Sequence, residues 1–278
     1  RIADNGRGVP FGKAEDGSET LVNVYTKLHT GAKFDSDGKT GYNTSGGMNG
    51  VGAKATNALS SYFAVESVRD GKSAYAVFEK GELKSYEEQP FTKGLHGTTI
   101  SFKPDETIFK EGIRLEYAPL KKQIQELAYL SPGMVFNFQY EDKEAEVITS
   151  QNGIRDYIND LNKDKNTLTS VFYTESLEDR VGVKVAMQYN DTYTESIVTF
   201  ANNMSTIDGG THEVGFKEAL RKVTNAYGKK LGFLKEGDKL SGEDTREGIT
   251  AVVSVKLPDA QFESQTKAKL GNSEIRTI

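Results

Sequence analysis

Gly41-Tyr-Asn-Thr-Ser-Gly-Gly-Met-Asn-Gly-Val-Gly-Ala-Lys-Ala-Thr-Asn-Ala-Leu-Ser60 is the stretch on which the reading of this chain turns. Gly46, Gly47, Gly50 and Gly52 crowd into one loop, where glycine tolerates positive φ and lets the backbone approach another group. From Ala53 the small residues and Leu59 support a helix. A glycine loop that feeds a helix start leaves unpaired N–H groups pointing one way, with the positive end of the helix dipole behind them. Such an arrangement can cradle phosphate. It can equally be a tight connection, and the stretch alone does not separate the two. No Gly-Lys-Ser/Thr follows, so it is not a P-loop. A polar loop precedes it instead of a buried strand, so it is a poor dinucleotide fingerprint.

The chain has 278 residues, a length that suggests two domains. Hydrophobic residues make up 36% and charged residues 27%, enough for real cores under a solvated surface. No apolar run is long enough to span a membrane, and no secretory signal pattern opens the chain. Cysteine is absent, which excludes disulfides and thiolate metal sites and fits the reducing cytoplasm. Three histidines, His29, His96 and His212, make a histidine metal site a poor expectation. A net charge of −5 argues against a surface that holds DNA mainly through its own phosphate contacts. The chain opens at Arg1 without methionine and stops at Ile278 just after Gly271-Asn-Ser-Glu274, and it reads as a piece of a longer protein.

Outward from the glycine loop the elements follow in order. Asp4-Asn5-Gly6 is a turn signal. Asp4 reads either as a turn former capping its own backbone or as an acceptor at the floor of a pocket, holding an exocyclic amine. Leu21, Val24, Tyr25 and Leu28 share one face of a helix over 19–29. Residues 30–44 are polar and aperiodic, a lid beside a phosphate site or a plain surface loop. Strands are expected over 63–69 and 73–79, joined at Asp70-Gly71, then over 82–87 and 98–103. A helix over 114–130 ends at Ser131-Pro132-Gly133, and strands follow over 135–140 and 144–149. Beyond residue 150 come a short helix bearing Ile154, Tyr157, Ile158 and Leu161, a strand over 181–189 with 196–202 as its expected partner, a helix over 214–227 closed by Gly228, and a β-branched strand over 249–257. The fold class is α+β, with domains expected at 1–150 and 151–278.

Taken jointly, several blocks resemble a known family. They are Asp4-Asn-Gly-Arg-Gly-Val-Pro10, residues 29–34, Ser45-Gly-Gly-Met-Asn-Gly-Val-Gly52, Asn57-Ala-Leu-Ser60, Gly97-Thr-Thr99, Thr206-Ile-Asp-Gly-Gly-Thr-His212, Ser241-Gly-Glu-Asp-Thr-Arg-Glu-Gly248 and Gln265-Thr-Lys267 with Lys269-Leu-Gly-Asn-Ser-Glu274. The chain resembles the ATPase and transducer region of the bacterial type IIA DNA topoisomerases, the B subunits of gyrase and topoisomerase IV. The blocks stand in the family's order across nearly the whole chain. Asn49 departs from a position that is often His, and the lid around residues 37–40 is slightly longer.

The resemblance implies a GHKL (Bergerat) ATP-binding sandwich over 1–150. A transducer domain with a left-handed βαβ crossover would follow over 151–278, against the usual hand of such connections. It implies that Asp4 accepts from the adenine amine, that Gly8 lines the base pocket, and that Thr98 supports the adenine-side hydrogen bonds. Gly47, Met48, Asn49, Gly50, Val51, Gly52 and Ala53 would hold the phosphates, Lys33 and Tyr42 would belong to the lid, and Lys267 with Gln265 would reach the γ-phosphate. Arg7 and Arg69 would flank the pocket taken by aminocoumarin inhibitors; the alternative for both is a solvated surface charge. The expected ligands are ATP and Mg2+. The expected partners are a second protomer, the DNA-cleaving A subunit and double-stranded DNA, with no membrane.

The family's general-base glutamate and magnesium-binding asparagine precede the Asp-Asn-Gly block, and no counterpart is found in this chain. The expectation is therefore that this stretch alone neither hydrolyses ATP nor dimerises on nucleotide. Another GHKL ATPase, such as a MutL-like repair protein, is the alternative enzyme; it should lack the 206–212 and 241–248 blocks. A sensor kinase would need a phospho-accepting histidine on a preceding helix. A nucleotide-binding interaction module without turnover is the non-enzymatic alternative.

Overall fold

The computed structural model describes residues 1–28, 30, 47 and 50–278. They pack as two units, one reaching to Leu115 and the other running from Glu116 to Ile278. The sequence places a domain division near residue 150. By packing, the helix at 117–130 and the hairpin after it go with the second unit, where Leu130 joins Ile154, Tyr157 and Ile158 in one core.

In the first unit, β1 (Ile2–Asp4), β2 (Ser60–Arg69), β3 (Lys72–Glu79), β4 (Glu82–Pro90) and β5 (Gly97–Pro104) form an antiparallel sheet in the order β1-β5-β2-β3-β4. The β2–β3 turn has Asp70 at φ 53° and Gly71 at φ 75°, the two left-handed residues that an Asp-Gly hairpin requires. Helices α1 (Thr20–Thr26) and α2 (Gly52–Ala58) accompany the sheet. Leu21 and Tyr25, one helical turn apart, are buried against Phe63, Val65, Ala76 and Phe78. The Tyr25 and Phe63 rings lie 5.4 Å apart, and Phe63 meets Phe78 edge-on at 6.0 Å. Leu28, expected on that face, is 61% exposed, because α1 ends at Thr26.

In the second unit α3 (Tyr117–Leu130), the hairpin β6 (Val135–Phe138) and β7 (Glu146–Thr149), and α4 (Ile154–Leu161) lead into a second sheet. Its strands are β8 (Phe172–Glu178), β9 (Val181–Tyr189), β10 (Ser196–Ala201), β11 (Met204–Ser205) and β12 (Ile249–Lys256), in the order β11-β10-β12-β9-β8. β10 therefore does not pair with β9 as the sequence suggests. It runs parallel to β12, and β9 lies between β12 and β8. Every β12 residue from Ile249 to Val255 is buried, the β-branched signature of a central strand covered on both faces. β8 escapes recognition in the sequence because Phe-Tyr-Thr-Glu-Ser-Leu-Glu is an exposed edge strand without apolar alternation.

Helix α5 (Thr211–Lys230) connects β10 to β12, so the parallel pair closes a βαβ unit. The helix runs through Gly228, where the sequence predicts its closure. There a Cβ would lie 2.8 Å from Leu234 Cδ1, so Gly228 serves packing. Termination falls to Gly232 at φ 77°: its N–H donates to the Lys229 carbonyl at 3.1 Å and the Phe233 N–H to the Gly228 carbonyl at 2.8 Å, the double bond of a Schellman end.

Candidate functional site

Strand register assembles the first part of the site. Asp4 stands opposite Thr98, and Thr98 opposite Ser67, so three side chains from β1, β5 and β2 fall in one row across the sheet. Asp4 is exposed; Thr98 and Ser67 are buried. One Asp4 oxygen, Oδ1, accepts from the Gly6 N–H at 2.8 Å and from the Thr98 N–H at 3.3 Å. Both sequence readings of Asp4 thus meet in one carboxylate: Oδ1 fastens the turn, and Oδ2 has no hydrogen-bond partner among the described residues. Its charge also acts on the Tyr25 phenol, whose pKa is pushed up to about 12, first by burial and then by Asp4.

Two glycines make that corner possible. Gly97 sits at φ 148°, and a Cβ on it would come 2.1 Å from the Asp4 carbonyl oxygen. Gly8 sits at φ 73°, and a Cβ there would lie 2.5 Å from the Val68 carbonyl oxygen and 3.1 Å from Ser67 Oγ. Ser67 Oγ in turn donates to the Val9 carbonyl at 2.7 Å, and His96 Nδ1 lies 2.7 Å from the Gly6 carbonyl. Sequence reasoning does not single out Ser67, His96 or Gly97 as site residues. A serine inside an apolar strand is the one available signal for Ser67.

The glycine loop enters α2 at Gly52. Gly50 has φ 58°, and Val51 at the helix start receives no side-chain cap. The first intrahelical bond runs from the Ala55 N–H to the Val51 carbonyl at 2.8 Å, so the amides of Gly52, Ala53 and Lys54 open the helix without a partner further back in it. Lys54 is buried and donates to the Thr30 carbonyl at 3.3 Å; burial holds its pKa below the usual lysine value. Asn57, wholly buried, donates to the Tyr25 carbonyl at 3.1 Å and ties α2 to α1. Lys33, Tyr42, Met48 and Asn49 lie outside the described residues.

Arg7 and Arg69 do come together. They line one open cleft of about 480 Å³ with Asp70, Lys93 and His96. Arg69 Nε is 2.9 Å from Asp70 Oδ2, so the cleft is cationic but partly neutralised.

Gln265 and Lys267 lie in the second unit, on the loop after β12. Gln265 is exposed and Lys267 half-buried. Lys267 has φ 58°, and its N–H donates to the Ser264 carbonyl at 3.1 Å. This loop is strapped to the 206–212 block. The Asp208 N–H donates to the Ala268 carbonyl at 2.9 Å, the Leu270 N–H to the Gly209 carbonyl at 3.1 Å, and the Thr211 N–H to the Leu270 carbonyl at 3.1 Å.

Below the strap, His212 is 3% exposed, with Nε2 3.0 Å from Thr206 Oγ1. Burial pushes its pKa down to about 4, against a smaller upward pull from Glu213. Its folded pKa is below the unfolded one, so its contribution is complete above about pH 6.5 and is lost as pH falls towards about 4. The expected size is about 3 kcal/mol across that window. Urea unfolding at pH 7 and pH 4.5 checks this: the stability lost on acidification should shrink by about 2–3 kcal/mol in His212→Gln.

Among the described residues no group of three His, Cys, Asp or Glu side chains converges as a metal site. No helix among them is long and apolar enough to cross a membrane.

A family model described as DNA gyrase B matches residues 153–278. The B subunit of DNA gyrase from Halalkalibacterium halodurans is 44% identical over all of this chain, which covers 44% of that protein. The B subunit of DNA topoisomerase 4 from Enterococcus faecalis is 42% identical, again over all of this chain and 41% of the relative. The chain thus spans less than half the length of these relatives. Among solved structures, the 43K ATPase domain of Thermus thermophilus gyrase B, in complex with an aminocoumarin, superposes with a TM-score of 0.79 at 34% identity, covering 99% of this chain and 70% of that one. The α+β architecture is accordingly that of the GHKL ATPase region. With that domain matched over more than two thirds of its length, the chain belongs to the DNA gyrase B family.

Proposed function

We propose that this chain is the ATP-binding part of a type II DNA topoisomerase, which couples ATP binding and hydrolysis to passage of one DNA duplex through another. The observation that carries the reading is the Asp4–Thr98–Ser67 row beside Gly8, in a member of this family. Asp4 accepts from the adenine amine through Oδ2, Thr98 and Gly8 shape the base pocket, and the amides of residues 47–53 hold the phosphates. Lys33 and Tyr42 serve as the lid. The nucleotide-binding role belongs to 1–150 and the transducer role to 151–278. Mg2+ accompanies the nucleotide. The partners are a second protomer, the A subunit and double-stranded DNA, in the cytoplasm.

Lys267, with Gln265, contacts the γ-phosphate, a charge present in ATP and lost on hydrolysis, and so couples the transducer to nucleotide state. Titration of the full-length protein with ATP and ADP tests this. Lys267→Ala should weaken ATP by about tenfold or more and leave ADP unchanged. Equal losses for both nucleotides would remove Lys267 from the γ-phosphate.

The Arg7–Arg69 cleft supports an inhibitor site of the kind implied by the aminocoumarin complex of the Thermus relative. Arg69→Ala should cost about tenfold in aminocoumarin affinity; an unchanged dissociation constant would discard the assignment.

A further inference from the structure

A second cavity, of about 350 Å³, opens within the second unit. That is the lower end of the size range for small-molecule sites. Its floor is the sheet. Glu175, Lys184 and Ser254 form one cross-strand row on β8, β9 and β12, and Leu177, Gly182 and Lys256 form the next row. Its opposite wall is Tyr129 in the last turn of α3, Pro132 just beyond it, and Ile154 at the start of α4. Aromatic and apolar surface therefore faces a strip of sheet that carries two ammonium groups.

The charges on that strip do not cancel. Lys184 is 3.5 Å from Glu175. Glu175 also accepts from the Tyr173 hydroxyl at 2.8 Å. Lys256 is half-buried and has no ion pair or hydrogen bond from its ammonium among the described residues. Burial, and then the charge of Lys184, hold its pKa below the ordinary lysine value. A half-buried cation left with only another cation for company is costly, and an anion relieves that cost. The start of α4 offers no rival site, because Asp156 already accepts from the Asn152 N–H at 3.0 Å and from Ser150 Oγ at 2.7 Å.

Gly182 keeps the floor open. Its φ is outside the left-handed range, and a Cβ there would make only ordinary contact, 3.8 Å from Lys256 Cβ. The backbone does not demand glycine at this position; the effect of having one is to leave space beside Lys256.

We propose that this cavity binds a small aromatic carboxylate, its ring against the Tyr129, Pro132 and Ile154 wall and its carboxylate on Lys256, Lys184 being held by Glu175. No covalent step is involved. The probe is 1-naphthoate, titrated into the whole chain and followed by amide NMR shifts, with the uncharged 1-naphthylmethanol as control. Naphthoate should bind saturably, with a dissociation constant of about 0.1–1 mM, and the alcohol about tenfold more weakly. Lys256→Gln should erase that tenfold preference while leaving the alcohol's affinity unchanged. Gly182→Val, which suits a strand, should remove both. The proposal is overturned by the absence of saturable naphthoate binding, by a preference for the anion that survives Lys256→Gln, or by undiminished binding to a folded Gly182→Val. Lys256→Gln alters one half-exposed side chain, so it decides the matter even where Gly182→Val does not fold.

Discussion

Asp4→Asn is expected to weaken adenine-nucleotide binding about 100-fold while barely moving the melting temperature. Asp4 does two jobs with two oxygens. Oδ1 holds the Gly6 and Thr98 N–H groups, and in the proposed complex Oδ2 takes the adenine amine. Asparagine keeps one oxygen. Turned towards Gly6, it preserves the turn and presents an NH2 to another NH2. Turned the other way, it meets the base and abandons the turn. Loss of a charge-assisted bond together with an unsatisfied donor is worth about 3 kcal/mol, or about two decades in affinity. Calorimetric titration of the full-length protein with a non-hydrolysable ATP analogue, beside thermal unfolding, reads both effects. Wild-type affinity in the variant would place the base elsewhere. A large fall in melting temperature with intact affinity would leave Asp4 as a turn former only.

Phe63→Ala is expected to cost about 3–5 kcal/mol of stability. Phe63 is 1% exposed and lies between Tyr25 of α1 and Phe78 of β3. Its removal leaves a cavity bounded by a helix and two strands, which cannot all relax into it. For a unit of this size the melting temperature should drop by more than about 15 °C. Leu28→Ala makes the control. Its side chain is 61% exposed beyond the end of α1, and the change should stay within about 0.5 kcal/mol. Chemical denaturation of both variants checks the pair, and similar losses would mean that the core is not where these contacts place it.

Local chemistry is legible in the sequence and partnership is not. Asp70-Gly71 announces a hairpin because two left-handed residues in a row have few other uses, and the turn lies where that reading puts it. Alternation over 181–189 reveals a half-buried strand but carries no information on its neighbour. Its neighbours are Phe172–Glu178 just before it and Ile249–Lys256 about sixty residues on, and not Ser196–Ala201. Gly228 reads as a helix end because glycine in a helix is costly, yet the space filled by Leu234 outweighs that cost. In the site, Asp4 stands out through its turn. Gly97 gains its meaning from the Asp4 carbonyl and His96 from the Gly6 carbonyl, contacts that only the closed sheet creates.

The strap between Leu270 and the Gly209–Thr211 backbone fixes the segment bearing Lys267 to the root of α5. Gly215, near that root, also lies so close to the Arg276 carbonyl that a Cβ would come within 2.8 Å of it. A displacement of the lysine segment is therefore handed to a rod of 20 residues. Such a rod is about 30 Å long, so a pivot of about 5° at its base swings the far tip by about 2.6 Å. The geometry is that of a lever, with Lys267 at the short arm and Lys230 at the long one.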